Sequence, residues 1–159
     1  MNKIESFKID HTRLLPGVYV SLRQNFGGTD ITTFDIRLLR PNIDDVMTTG
    51  VAHTIEHIGA TYLRNLSDFG QKVVYFGPMG CRTGFYLVAE GRLCPKDVWQ
   101  IIADMFRFIA DFSGPIPGAS PVECGNYSDM DLGGAKALAK QFFTATMENP
   151  TEENMNYPK

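Results

Sequence analysis

Ile31-Thr32-Thr33-Phe34-Asp35-Ile36-Arg37-Leu38-Leu39-Arg40-Pro41-Asn42 is an extended run that stops at a proline. Phe34, Ile36 and Leu38 alternate with Asp35 and Arg37. That period of two predicts a half-buried strand over 31–39, its polar face free for other work. Upstream, 17–23 reads as a partner strand, and Phe26-Gly27-Gly28-Thr29-Asp30 between the two is turn chemistry, so a hairpin is expected. Past Pro41-Asn42 the period changes. Val51, Ile55, Ile58, Tyr62 and Leu66 recur three or four apart, which predicts a helix over 48–68, capped by Thr48 or Thr49 and followed by Gly70.

The same change of period repeats downstream. Two β-rich runs, 72–76 and 83–89, flank Gly77-Pro78-Met79-Gly80, with Cys81 at the shoulder of the turn. Pro95 then opens a helix whose stripe is Val98, Ile101, Ile102, Met105, Phe106, Ile109 and Phe112, and Gly114 stops it. A loop rich in Pro, Gly and Ser covers 113–121, and a last helix is expected over 131–147 behind a capping-box-like Ser128-x-x-Asp131. Hairpins mixed with longer helices, without βαβ alternation, indicate an α+β fold with an antiparallel β-sheet packed against α-helices. One domain over 1–147 is expected, followed by a polar tail over 148–159 that should fray.

Composition narrows the function classes. The chain has 159 residues, 43% hydrophobic and 21% charged, with a net charge of -3 from 15 Lys+Arg against 18 Asp+Glu. No basic stripe marks a nucleic-acid partner. No apolar stretch approaches the roughly 18–20 residues of a membrane span. Met1-Asn2-Lys3-Ile4-Glu5 lacks the charged-then-apolar order of a signal peptide, so a cytoplasmic location is expected. Cys81, Cys94 and Cys124 form an odd set, which favours metal binding or catalysis over disulfides in a reducing compartment.

His53-Thr54-Ile55-Glu56-His57 carries the clearest chemistry. At about 100° per residue, His57 lies about 40° from His53 and Glu56 about 60° to the other side. The three side chains share one helix face. Two imidazoles at that spacing can grip one metal while the carboxylate acts on a bound water or substrate. The order His-x-x-Glu-His is the inverted zinc-peptidase helix. Two surface histidines sharing a face by chance is the bland alternative, weakened because the chain has only 3 histidines. A catalytic metal wants a third protein ligand and an open position. Cys124, in Val122-Glu123-Cys124-Gly125, offers a soft thiolate, though its spacing fits a small buried hydrophobe equally well. Cys81, beside Arg82, can be a reactive thiol or a packing one. Cys94 reads as helix-entry packing. Arg37 can clamp hydroxyls or a carboxylate from the polar strand face, or simply pair with Asp35 in solvent.

The motifs His53-Thr54-Ile55-Glu56-His57, Pro78-Met79-Gly80-Cys81-Arg82-Thr83-Gly84-Phe85-Tyr86-Leu87 and Glu123-Cys124-Gly125 resemble, in order and spacing, those of the LuxS family of S-ribosylhomocysteine lyases. So do Ser6-Phe7-x-x-Asp10-His11, Phe34-Asp35-Ile36-Arg37 before Pro41-Asn42, and Asp131-Leu132-x-Gly134-Ala135-Lys136. The resemblance covers roughly 3–147. It implies a LuxS-like metalloenzyme fold and a carbon–sulfur lyase that splits S-ribosylhomocysteine into homocysteine and 4,5-dihydroxy-2,3-pentanedione, the autoinducer-2 precursor of quorum sensing. The metal implied is one divalent ion per subunit, iron(II) with zinc or cobalt as substitutes, held by His53, His57 and Cys124. Glu56 and Cys81 become the acid/base pair, Ser6, His11 and Arg37 become substrate contacts, and the site falls between the subunits of a homodimer. Tyr75-Phe76-Gly77 departs from the family's pattern of an acidic residue and a serine before Pro-Met-Gly-Cys, so contacts to the homocysteine end differ here. The competing enzyme is a zinc metallopeptidase built on the inverted helix. The competing non-enzyme is a binding module closed by a structural metal.

Overall fold

The computed structural model describes residue 4 and residues 7–158. Four strands, β1 (Gly17–Phe26), β2 (Thr29–Arg37), β3 (Val73–Pro78) and β4 (Gly84–Glu90), form one antiparallel sheet in the order β1-β2-β4-β3. Three helices, α1 (Thr49–Arg64), α2 (Pro95–Asp111) and α3 (Leu132–Phe142), pack with it, as the α+β reading expects. The first hairpin turns through Gly27 and Gly28, whose φ of 60° and 97° suit a two-residue turn that needs left-handed backbone at both positions.

Boundaries differ where tertiary contacts end an element. β2 stops at Arg37 because the amides of Leu38 and Leu39 both turn to the Thr83 carbonyl, at 3.0 and 3.1 Å. α1 ends at Arg64, four residues short of the expected limit, and Gly70 opens a separate 3-10 turn. Ser128 does not cap α3. Its place is a short 3-10 turn over Tyr127–Asp129, and Asp131 caps instead, its carboxylate accepting from Gly134 N at 2.8 Å. Beyond Phe142 the helix widens into a π turn over Phe143–Met147.

Register sorts the sheet into two faces. Val18, Ile36 and Phe85 stand side by side, as do Val20, Phe34 and Leu87, and both rows face the helices. Ile55 and Ile58 of α1 and Val98, Ile102, Phe106 and Ile109 of α2 meet them, all fully buried. Complete burial of side chains this size contributes roughly 1.5–3 kcal/mol each, and this layer is the core.

The opposite face departs from expectation. Asp35 and Arg37 were expected on an open polar face, yet they are only 3% and 2% exposed. Tyr19 of β1 and Tyr86 of β4 flank Asp35 in register, and Tyr157 covers it from outside, its hydroxyl donating to Asp35 Oδ2 at 3.0 Å. Arg37 lies between Gly17 and Gly84, which leave its sides free of neighbouring side chains. Segment 148–158, expected to fray on its polar composition, docks along β1. Val18 N donates to Asn154 O at 2.8 Å, and a Cβ on Gly17 would lie 2.2 Å from that carbonyl. That backbone hydrogen bond, the Tyr19 hydroxyl donating to Glu153 O at 3.4 Å, and the stacked rings of Tyr19 and Tyr157, 4.8 Å apart, hold it there. Hydropathy cannot register either contact.

Candidate metal centre

α1 starts at Thr48, whose hydroxyl accepts from Val51 N at 3.2 Å. With Ile55 and Ile58 turned into the core, the helical period leaves His53, Glu56 and His57 half-buried on the outer rim. The loop after α2 crosses that rim and brings in Cys124. The ligand atoms of His53, His57 and Cys124 all lie within 4.8 Å of one another. Cys124 Sγ is 3.4 Å from His53 Nε2. A tetrahedral ion with bonds of roughly 2.0–2.3 Å holds its donors about 3.3–3.8 Å apart, so the group is near ligating geometry.

An oxygen stands behind each imidazole, in hydrogen-bond reach only for His57. Pro117 O is 2.7 Å from His57 Nδ1, and because a carbonyl only accepts, that nitrogen carries the proton and Nε2 keeps a free lone pair. Asp129 Oδ2 faces His53 Nδ1 at 3.8 Å, with Nε2 turned to Cys124. A metal-bound histidine ordinarily gives its other nitrogen to a carboxylate or carbonyl, as His57 does to Pro117, whereas 3.8 Å is beyond hydrogen-bond reach for His53 and Asp129. Two imidazoles and one thiolate suit a divalent ion such as zinc, iron(II) or cobalt(II). With three protein ligands, an ion held here would have a fourth position for water or substrate, the pattern of catalytic sites.

Glycines and one threonine hold the loop in place. Gly50 lets the Asp129 carbonyl approach to where a Cβ would be 2.2 Å away, and Gly118, at φ 69°, passes His57 closely enough that a Cβ would lie 3.1 Å from Nδ1. The Thr54 hydroxyl donates to Gly50 O at 2.8 Å and accepts from Asp131 N at 2.9 Å. Pro117, Gly118 and Asp129 were not singled out in the sequence. Their partners are 60 to 79 positions away, and no local period announces such a contact.

A cavity of about 290 Å³ opens beside the two α1 residues His53 and Glu56. Its far wall is Pro78, Met79, Gly80 and Arg82, the turn that carries Cys81. Cys81 itself is exposed and does not line the cavity, and its Sγ lies 3.2 Å from the Thr83 hydroxyl and 3.7 Å from Arg37 Nη1. Partial burial pushes the thiol pKa up, but the Thr83 hydroxyl and amide and the Arg37 charge outweigh it, leaving a net downward shift that favours thiolate.

Arg37 is committed on every side. Nε and Nη2 grip Asp35 at 3.1 and 2.7 Å, and Nη1 serves Thr83 and Cys81. His11 is half-buried with Nδ1 on its own Ile9 carbonyl at 2.9 Å, and it does not line the cavity. Ser6 lies outside the described residues. Cys94 caps α2, its amide donating to Asp97 at 2.7 Å, in line with helix-entry packing. Tyr75 reaches over Gly77, a position where any side chain would meet the phenol oxygen. Glu56 nearby adds to the burial that raises the Tyr75 pKa.

Fold and site together define an α+β chain with an open two-histidine, one-cysteine candidate metal centre on the rim of its first helix. The chain belongs to the S-ribosylhomocysteinase (LuxS) family, whose model matches residues 4–153. It is 53% identical over 158 residues to an S-ribosylhomocysteine lyase of Clostridium beijerinckii, covering 99% of each chain. It is 51% identical over 159 residues to that of Clostridium acetobutylicum, covering 100% of both, and 50% identical over 158 residues to that of Desulfotalea psychrophila, covering 99% of both. No helix of the described residues is long and apolar enough to cross a membrane.

Proposed function

We propose that the chain is a carbon–sulfur lyase that cleaves S-ribosylhomocysteine into homocysteine and 4,5-dihydroxy-2,3-pentanedione. Family membership over residues 4–153, joined to the His53–His57–Cys124 group beside a cavity, carries this reading. Expelling the thiolate from C5 requires a carbonyl at C3 of the sugar. The aldose therefore becomes a 2-ketose and then a 3-ketose, each shift removing a proton next to a carbonyl and returning one to the neighbouring carbon. Removal of the C4 proton then releases homocysteine.

A divalent ion held by His53, His57 and Cys124 would supply Lewis-acid polarisation of the sugar oxygens, without change of oxidation state. Iron(II) is the ion we favour, with zinc or cobalt as substitutes. Cys81, its thiolate favoured by Thr83 and Arg37, takes and returns protons in the two isomerisations. Glu56, on the helix face shared by the imidazoles, promotes the elimination. Arg37 would contact substrate only by exchanging one of the Nη1 contacts to Thr83 or Cys81 for one to the substrate. Ser6 and His11 are kept as substrate contacts, and the site would fall between the subunits of a homodimer, which predicts twice the 17.7 kDa of the chain by light scattering. The enzyme would act in the cytoplasm, supplying the autoinducer precursor and recycling the methyl-cycle by-product. Tyr75 and Gly77 give the homocysteine end a different wall from the acidic and serine pattern.

The peptidase reading loses its third ligand, since Glu152 is exposed and engaged with Lys96 at 3.0 Å. The deciding experiment is anaerobic purification with metal analysis and a thiol-release assay on S-ribosylhomocysteine. Thiol release from metal-loaded protein is expected. Peptide cleavage without thiol release would refute the lyase.

A further inference from the structure

Buried on the sheet face away from the helices is a chain of contacts that runs from Cys81 through Arg37 and Asp35 to Tyr157. Asp35 uses Oδ1 for Arg37 Nε at 3.1 Å and Oδ2 for both Arg37 Nη2 at 2.7 Å and the Tyr157 hydroxyl at 3.0 Å. Only Nη1 of the guanidinium is left over, and it faces Thr83 and Cys81 Sγ. We propose that Tyr157 is a positioning residue for Cys81, sharing Asp35 Oδ2 with Arg37 so that part of the guanidinium charge remains directed at the thiol. This rests on the reading of Cys81 as a proton carrier.

The physical argument concerns how one carboxylate divides its attraction. An anion that accepts from several donors pulls less on each, so a neutral hydroxyl on Oδ2 loosens the hold of Asp35 on Arg37 without adding a charge of its own. In a buried site that difference is poorly screened. The ring is well placed to act as a fixed donor. It stacks on Tyr19 with planes 9° apart, and Tyr19 is itself tied to Leu15 O at 2.8 Å. Burial, followed by the charge of Asp35, pushes both phenol pKa values up, so each stays protonated at neutral pH. The titratable and charged groups around this network are Asp35 and Arg37 of β2, Tyr19 of β1, Tyr86 of β4, Tyr157 and Cys81. Arg82 follows Cys81 in the chain, and Arg13, Glu152 and Glu153 line a pocket with Tyr157, but Arg37 is the cation in contact with both Asp35 and Cys81 Sγ. Whatever weakens its reach toward Sγ therefore raises the thiol pKa.

Tyr157→Phe deletes the hydroxyl and keeps the stacked ring. The probe is iodoacetamide on the metal-loaded, substrate-free full chain, with the Cys81 peptide followed by mass spectrometry across the pH range. We expect the alkylation midpoint to move up and the rate at neutral pH to fall about threefold, as the loss of one modest hydrogen bond would give. The acid limb of kcat/KM for thiol release should move with it, while KM on the alkaline plateau holds. Superimposable profiles for Tyr157→Phe and the native chain would overturn the proposal. So would a shift in Tyr157→Leu that Tyr157→Phe does not share, since packing would then be the cause. Alkylation needs no turnover. Loss of the Cys81 role, read as thiol release surviving in Cys81→Ala, is thus distinguishable from loss of the Tyr157 role.

Discussion

The candidate metal centre and the Cys81 thiol are set up by opposite strategies. His53 and His57 stand on a helix and acquire their geometry from its period, and a loop leans on them from outside through Pro117, Asp129 and Cys124. Cys81 stands on a turn, and its environment is made by the buried Asp35–Arg37 pair on the far face of the sheet. One site is assembled by ligand spacing, the other by a charge held under cover. Damage to the first should therefore appear as metal lost, and damage to the second as a shifted pH profile.

His57→Ala and Cys124→Ala should break this contrast most severely. Removing a ligand should cost well beyond the roughly 10–100-fold in metal affinity that an outer partner contributes. Unchanged metal content in both would refute the centre. Next in size, Cys81→Ala should lower thiol release about 10²–10⁴-fold with metal retained, the ordinary worth of a proton carrier. Full activity there, or in Glu56→Gln, removes the assigned role. Gly50→Ala should then act at a distance, because its new methyl would meet the Asp129 carbonyl at 2.2 Å. Displacing Asp129 and its loop is expected to weaken metal binding about 10–100-fold while leaving the alkylation pH of Cys81 unmoved.

The smallest effect sharpens the comparison from the other side. The lowered Cys81 pKa keeps thiolate down to lower pH, so kcat/KM should fall as pH drops through that value. Arg37→Lys preserves the charge but loses the fork and the Nη1 contact, so the thiol pKa rises and the acid limb moves to higher pH. Metal content should not change. A limb that stays in place would show that Arg37 does not tune the thiol.

How much of this was readable in the sequence follows the same division. His53, Glu56 and His57 are close in the chain, and a helix converts their spacing directly into a shared face, so that half of the centre needs no knowledge of packing. The strands and helices were readable for the same reason, since period two and period 3.6 are local signals. Cys124 and Cys81 gained their separate roles only from the family resemblance, because 71 positions separate Cys124 from His53 and 44 separate Cys81 from Arg37. Tyr157 was out of reach altogether. It meets Asp35 across 122 positions, from a segment whose polarity argued for solvent.

The two imidazoles also differ in how they can be lost over evolutionary time. His57 is oriented by the carbonyl of Pro117, a main-chain atom that every amino acid at that position would still supply. His53 Nδ1 instead faces a side chain, the carboxylate of Asp129 at 3.8 Å, which one substitution can erase. One half of the centre is therefore buffered against drift and the other exposed to it. Variation that retunes the metal without destroying the site should accumulate at 129 sooner than at 117.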